Sequence, residues 1–179
     1  RQIVSAMRSV APELEFDWNP NLESSPSFAL ELAYPGDAYV DFIGMDVYDH
    51  GWAIGWEDPI RRWDTMVNQP YGLLWHRNFA AIHSKPVSFP EWALSQRADG
   101  HGGGDNPYFV ERMHEWITNS NAAYHMYFEY DVSADEHHEM MSGHFPSAAA
   151  RFIELFGPVG TLTTNTTVVE SRLHRRIRR

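Results

Sequence analysis

Cysteine is absent from the chain, which removes both a disulfide framework and thiolate metal ligation. No apolar run approaches the length needed to cross a bilayer, so a membrane span is not expected. Basic residues are few: 14 Lys and Arg stand against 24 Asp and Glu, a net charge of −10. That balance argues against nucleic acid as a partner. The positive charge is also concentrated, with Arg172, Arg175, Arg176, Arg178 and Arg179 all in the last few positions. No internal repeat is visible, and no phosphate-cradling glycine loop, which weighs against a self-contained doubly wound nucleotide domain. No signal peptide is present, but the first residue is Arg1 and not Met, so the chain is expected to be a piece of something longer.

Aromatic residues are plentiful at 14%, with 7 Trp. Rings of this kind fill cores and also stack on the apolar faces of sugars. With 43% hydrophobic residues in 179, the chain can bury the core of one domain. Helical spacing of Ile3, Val4, Met7 and Val10 predicts a helix over 1–10. Short strands are expected at 14–18 and 87–89, a longer one at 40–48, and another at 122–131. Helices are expected over most of 58–83, with an interruption near Pro70, and over 107–119 and 146–156. Pro107 and Pro146 suit first helical positions, and Gly157 a helix end. Strand and helix alternate throughout, which predicts a parallel sheet with helical crossovers. Residues 158–179 break the pattern and are expected to be a linker or disordered basic tail.

Polar residues fall at strand ends. In VDFIGMDVY, alternation puts Gly44, Asp46 and Tyr48 on the face opposite Ile43, Met45 and Val47. In AYHMYFEYD it groups His125, Tyr127, Glu129 and Asp131. A strand buried on both sides would be apolar throughout. Acids toward the C-terminal ends point to a site at that rim, where α/β folds build them. Glu91, between Pro90 and Trp92 just past Val87–Phe89, joins Asp46, Tyr48 and Glu129 there. Carboxylates among aromatics suit glycoside hydrolysis, in which one attacks the anomeric carbon and an acid protonates the leaving oxygen.

The stretches YPGDAYVDFIGMDVYD and KPVSFPEWAL, in this order, resemble the C-terminal half of glycoside hydrolase family 26, a family of many β-mannanases. The resemblance covers about 1–157. It implies an α/β fold, strands 5–8 of a (β/α)8 TIM barrel, beginning at 14–18, 40–48, 87–91 and 122–131. It also implies a retaining endo-glycosidase acting on a β-linked polysaccharide such as mannan. Glu91 matches the nucleophile and Tyr48 the tyrosine that orients it. Trp18, Asn19, Asp46, Trp92 and Glu129 are expected at the substrate cleft. The acid/base glutamate belongs to strand four, so it is expected upstream of Arg1. The family's Trp at the end of strand eight is replaced here by Tyr127-Phe128-Glu129-Tyr130. Secretion is the expectation that goes with the family, and no cofactor is expected. A catalytically inactive carbohydrate-binding relative is the alternative.

His101-Gly102-Gly103-Gly104 resembles an esterase oxyanion loop, but no Gly-x-Ser-x-Gly elbow accompanies it, so a rim loop is expected. Trp52 and Trp56 fit the cleft lining or packing equally well. His137, His138 and His144 are expected in a solvated loop, with no metal bound.

Overall fold

The computed structural model describes residues 1–22 and 28–157. The expected basic tail, 158–179, therefore lies outside the described residues.

Helix α1 (Gln2–Val10) leads to strand β1 (Asp17–Trp18). Two short 3₁₀ turns, Leu30–Ala33 and Asp37–Tyr39, precede β2 (Phe42–Gly44) and β3 (Val47–Tyr48). Helices α2 (Pro59–Asn68) and α3 (Leu73–Ile82) return the chain to β4 (Val87–Ala93). Then come β5 (Gln96–Arg97), α4 (Pro107–Asn119), β6 (His125–Tyr127), β7 (Glu136–His137) and α5 (Pro146–Phe156). The main sheet is wholly parallel: β1 pairs with β2, β2 and β3 pair with one edge of β4, and β6 pairs with the other. These are four adjacent strand positions, the arc of half a (β/α)8 barrel. The small antiparallel pair β5–β7 closes a loop above it.

Local chemistry sets the helix starts. Asp58 accepts from the Ile60 N–H ahead of Pro59, and Asn106 accepts from the Phe109 N–H ahead of Pro107, so each proline fills a position whose N–H needs no partner. The cap of α5 comes from far away: Asp105 accepts from the N–H groups of Ser147 and Ala148. Ile43, Met45, Val47, Phe89 and Trp92, each 0% exposed, turn outward onto Leu73, Phe109, Val110 and Met113 of the helices. Among the described residues no helix is long and apolar enough to cross a membrane.

The 122–131 strand is shorter than alternation predicts. After the bond from Phe128 N–H to Trp92 O, Glu129 and Asp131 leave the ladder to accept backbone N–H groups of the following loop.

Among the described residues, β1 and β6 are each paired on one side only. Met126 on the inner face of the sheet is 54% exposed, and Ile3 and Val10 on α1 are more so. Open edges beside uncovered apolar surface drive association. Residues 1–179 alone are therefore expected to self-associate, with a light-scattering mass well above that of a monomer. A monodisperse monomer at high concentration would contradict this.

Candidate active site

The alternation of β4 is broken where the site is built. Gly44 pairs with Ser88 and Val47 with Trp92, so three steps on one neighbour face four on β4. On the other side Phe89 pairs with His125 and Trp92 with Tyr127, two steps against three. One extra residue has been accommodated at Pro90–Glu91. A bulge is where a central strand tolerates proline, which has no N–H for the ladder. Its effect is to turn two consecutive side chains the same way. Phe89 packs on His76 of α3, and Trp92 on Phe109, Phe152 and Phe156. Pro90 and Glu91 are left together on the inner face.

There Tyr48 Oη donates to Glu91 Oε2 at 2.6 Å. Burial, then the bond to Glu91 and its negative charge, push the Tyr48 phenol far above its ordinary range, so it stays a donor. Asn19 Nδ2 donates to Asp46 Oδ1 at 2.8 Å. Beneath them, Asp17 accepts from Ser88 Oγ and from Tyr124 Oη. This crowding requires Gly44, because a Cβ there would sit 2.7 Å from Asp17 Oδ1, 2.8 Å from Asn19 Oδ1 and 2.9 Å from Pro90 Cγ.

Burial chiefly, reinforced by the charges of Glu91 and Asp17, raises Asp46 to about 6, while the Asn19 bond pulls the other way. Its side-chain carboxyl signal is accordingly expected to titrate near pH 6, and higher in Asn19→Ala, which loses the opposing bond. Because the folded state holds this proton more tightly than the unfolded chain, the contribution to stability is complete below about pH 4. It is lost as pH rises through about 6. Denaturant titrations of the wild type and Asp46→Asn across this window check the sign. A wild-type slope unchanged in the variant would contradict the assignment.

A cavity of about 730 Å³ opens beside Tyr48 and Asp46. Aromatic rings line it in sequence: Tyr48 stacks with His50 at 6.1 Å and His50 tilts onto Trp52 at 4.9 Å, and Trp52 is backed by His101, which stacks on it at 5.3 Å from outside the cavity. Trp52 is 58% exposed. Burial lowers His50 to about 4, so its ring is neutral near pH 7. Glu136 and His138 also line it, with His138 packed 5.0 Å from Tyr48. Glu91 is not among the lining residues; it stands one hydrogen bond away, behind Tyr48.

The glycine loop is fixed in place under this cavity. Gly51 N–H donates to His101 O and Gly103 N–H to Asp49 O. Asp49 is buried against Arg62, whose Nε donates to its Oδ1 at 2.5 Å, and Asn106 donates to its Oδ2 at 2.8 Å. A Cβ on Gly103 would overlap the Asp49 carboxylate.

Of the residues expected at the cleft, Asn19, Asp46, Tyr48 and Glu91 come together. Three others do not. Trp18 faces the helical layer, packed on Tyr34, Trp75 and Phe79. Trp92 is fully buried among helix residues because the bulge turns it outward. Glu129 also lies on the helical side, both oxygens engaged by the N–H groups of Met140 and Met141. Just past β6 it is Phe128 that reaches Tyr48, at 5.9 Å. Asp17, His50, Phe128, Glu136 and His138 were not singled out for the site by sequence. Phe128 alone had a local signal, as the alternation partner of Tyr124.

No protein-family model matches the chain, and no curated protein does. Solved structures do. A Cellulomonas fimi endo-β-1,4-mannanase double mutant is similar at TM-score 0.52 and 20% identity, over 85% of this chain and 34% of that one. The modular endo-β-1,4-mannanase from Cellulomonas fimi, described with glycoside hydrolase family 26 mannanases, is similar at TM-score 0.50 and 22% identity over the same shares. The chain thus spans about a third of the length of the solved structures it matches, and it shares their fold over most of its own length.

Proposed function

We propose that this chain is the C-terminal, nucleophile-bearing half of a retaining endo-glycosidase that cuts a β-linked polysaccharide such as mannan, outside the cytoplasm. The observation that carries the reading is the Tyr48–Glu91 pair on the bulged inner rim of β4. Glu91 attacks the anomeric carbon to form a glycosyl-enzyme, and Tyr48 holds the carboxylate in line. The acid/base that protonates the leaving oxygen, and then activates water, is a glutamate supplied from outside these residues. Asp46 and Asn19 bind sugar hydroxyls near Glu91, and Trp52 offers a face for a neighbouring ring.

Tyr48→Phe tests the arrangement. It removes one hydroxyl that donates to a carboxylate, an interaction of about 1.5–3 kcal/mol, so kcat on the polysaccharide should fall roughly 10- to 100-fold while the variant still folds and unfolds cooperatively, with a melting temperature lowered by no more than that bond accounts for. Assays on β-mannan, β-xylan and β-glucan identify the sugar. Unchanged turnover in Tyr48→Phe would place the phenol outside the reaction. Tight glycan binding with no turnover by the complete protein would favour the inactive binding relative.

A further inference from the structure

The loop after β6 holds a cluster that the proposed reaction does not use. Asp131, His137 and His144 each present a ligand atom, and these atoms all lie within 4.8 Å of one another. They are brought together by three separate devices. Asp131 is pinned through Oδ1, which accepts from the N–H groups of His138 and Glu139, both at 2.9 Å. Its other oxygen, Oδ2, is left facing His137 Nδ1 at 2.9 Å. His137 is held by the β5–β7 ladder through its pairing with Gln96. His144 is returned over the His137 ring by the turn at Gly143, whose φ is +94°, and the two imidazoles stack at 4.3 Å.

We infer that Asp131, His137 and His144 form a binding site for a divalent first-row transition ion such as zinc. Two nitrogens and one carboxylate oxygen suit such an ion, whereas calcium and magnesium favour all-oxygen sets. Donor atoms about 2.0–2.2 Å from a tetrahedral zinc are spaced roughly 3.3 Å apart. The 2.9 Å gap between Asp131 and His137 thus needs to open only slightly as the shared proton is replaced. His144 has to turn from its stacked orientation so that a ring nitrogen faces the ion. It is exposed and follows a glycine, so that turn gives up the stacking on His137 and meets solvent on its other side. Water takes the fourth position. The bonds to Asp131 Oδ1 are the outer-shell contacts that orient a ligating carboxylate.

The consequence for the cavity is direct. His138, next to His137, donates through Nδ1 to Leu94 O at 2.7 Å and packs on Tyr48. An ion at the cluster ties the two ends of the 131–144 loop together and holds His138 and Glu136 over the cavity.

The probe is zinc chloride added to the full chain without an affinity tag, followed by calorimetry, with cobalt substitution followed by visible absorption. One equivalent should bind with micromolar or tighter Kd, and cobalt should show the visible band of a four- or five-coordinate ion. His144→Ala, which removes an exposed side chain, and Asp131→Asn should each weaken binding at least roughly tenfold. Zinc should raise the melting temperature of the wild type and not of His144→Ala. His114→Ala, away from the cluster, should bind as the wild type does. Binding no tighter than millimolar, or binding unchanged in His144→Ala, would overturn the site even if Asp131→Asn is affected.

Discussion

Glu91→Ala, in the protein with its barrel complete, is expected to lower polysaccharide hydrolysis by roughly 10⁴- to 10⁶-fold, the scale seen when a nucleophile or its close partner is deleted. The fold should survive, because Glu91 is only half-buried on the inner face and, among the described residues, its side chain bonds to Tyr48 alone. Azide should restore part of the rate on a substrate with an activated leaving group, since a small anion can occupy the space of the missing carboxylate. The rescued product should be a glycosyl azide of inverted configuration. A chain that only binds glycans would show no turnover before or after the substitution, and near-normal turnover in Glu91→Ala would remove the residue from the chemistry.

Arg62→Ala is expected to destabilise the fold by about 3–5 kcal/mol, the cost of leaving a buried charge without its partner. Asp49 and Arg62 are 1% and 4% exposed. The guanidinium also donates to Trp56 O at 2.6 Å, so one side chain holds both the segment after β3 and, through Asp49, the glycine loop. Against a typical total of about 5–15 kcal/mol, that loss is large. Gly103→Ala should act on the same pair by intrusion, and its effect should be much smaller in an Arg62→Ala background than alone. Urea denaturation of the two single variants and the double variant measures this coupling. Strict additivity would separate Gly103 from the pair.

Elements with local signals were legible in the sequence. Pro107–Asn119 and Pro146–Phe156 are found where an initial proline and apolar spacing put them. The parallel order followed from alternation of strand and helix. The bulge was not legible: simple alternation from Val87 places Glu91 beside Phe89, facing the helices. Only the pairing of β4 with both neighbours shows the extra residue that turns Glu91 inward. The same one-residue ambiguity separates Trp18, which faces out, from Asp17, which faces in. Glu129 was misplaced because alternation carries no mark of where a strand gives way to a loop that needs its carboxylate. The Asp49–Arg62 pair and the Asp131–His137–His144 cluster depend on contacts made by folding, which spacing along the chain does not encode.

The most direct measurement of the central assignment is mass spectrometry of the complete protein after reaction with a 2-fluoro β-glycosyl donor bearing an activated leaving group. The fluorine slows hydrolysis of a glycosyl-enzyme, so a retaining nucleophile keeps the sugar. One covalent sugar is expected per chain, on the peptide containing Glu91, and none in Glu91→Gln. An adduct on any other carboxylate, or a label that persists in Glu91→Gln, would contradict it.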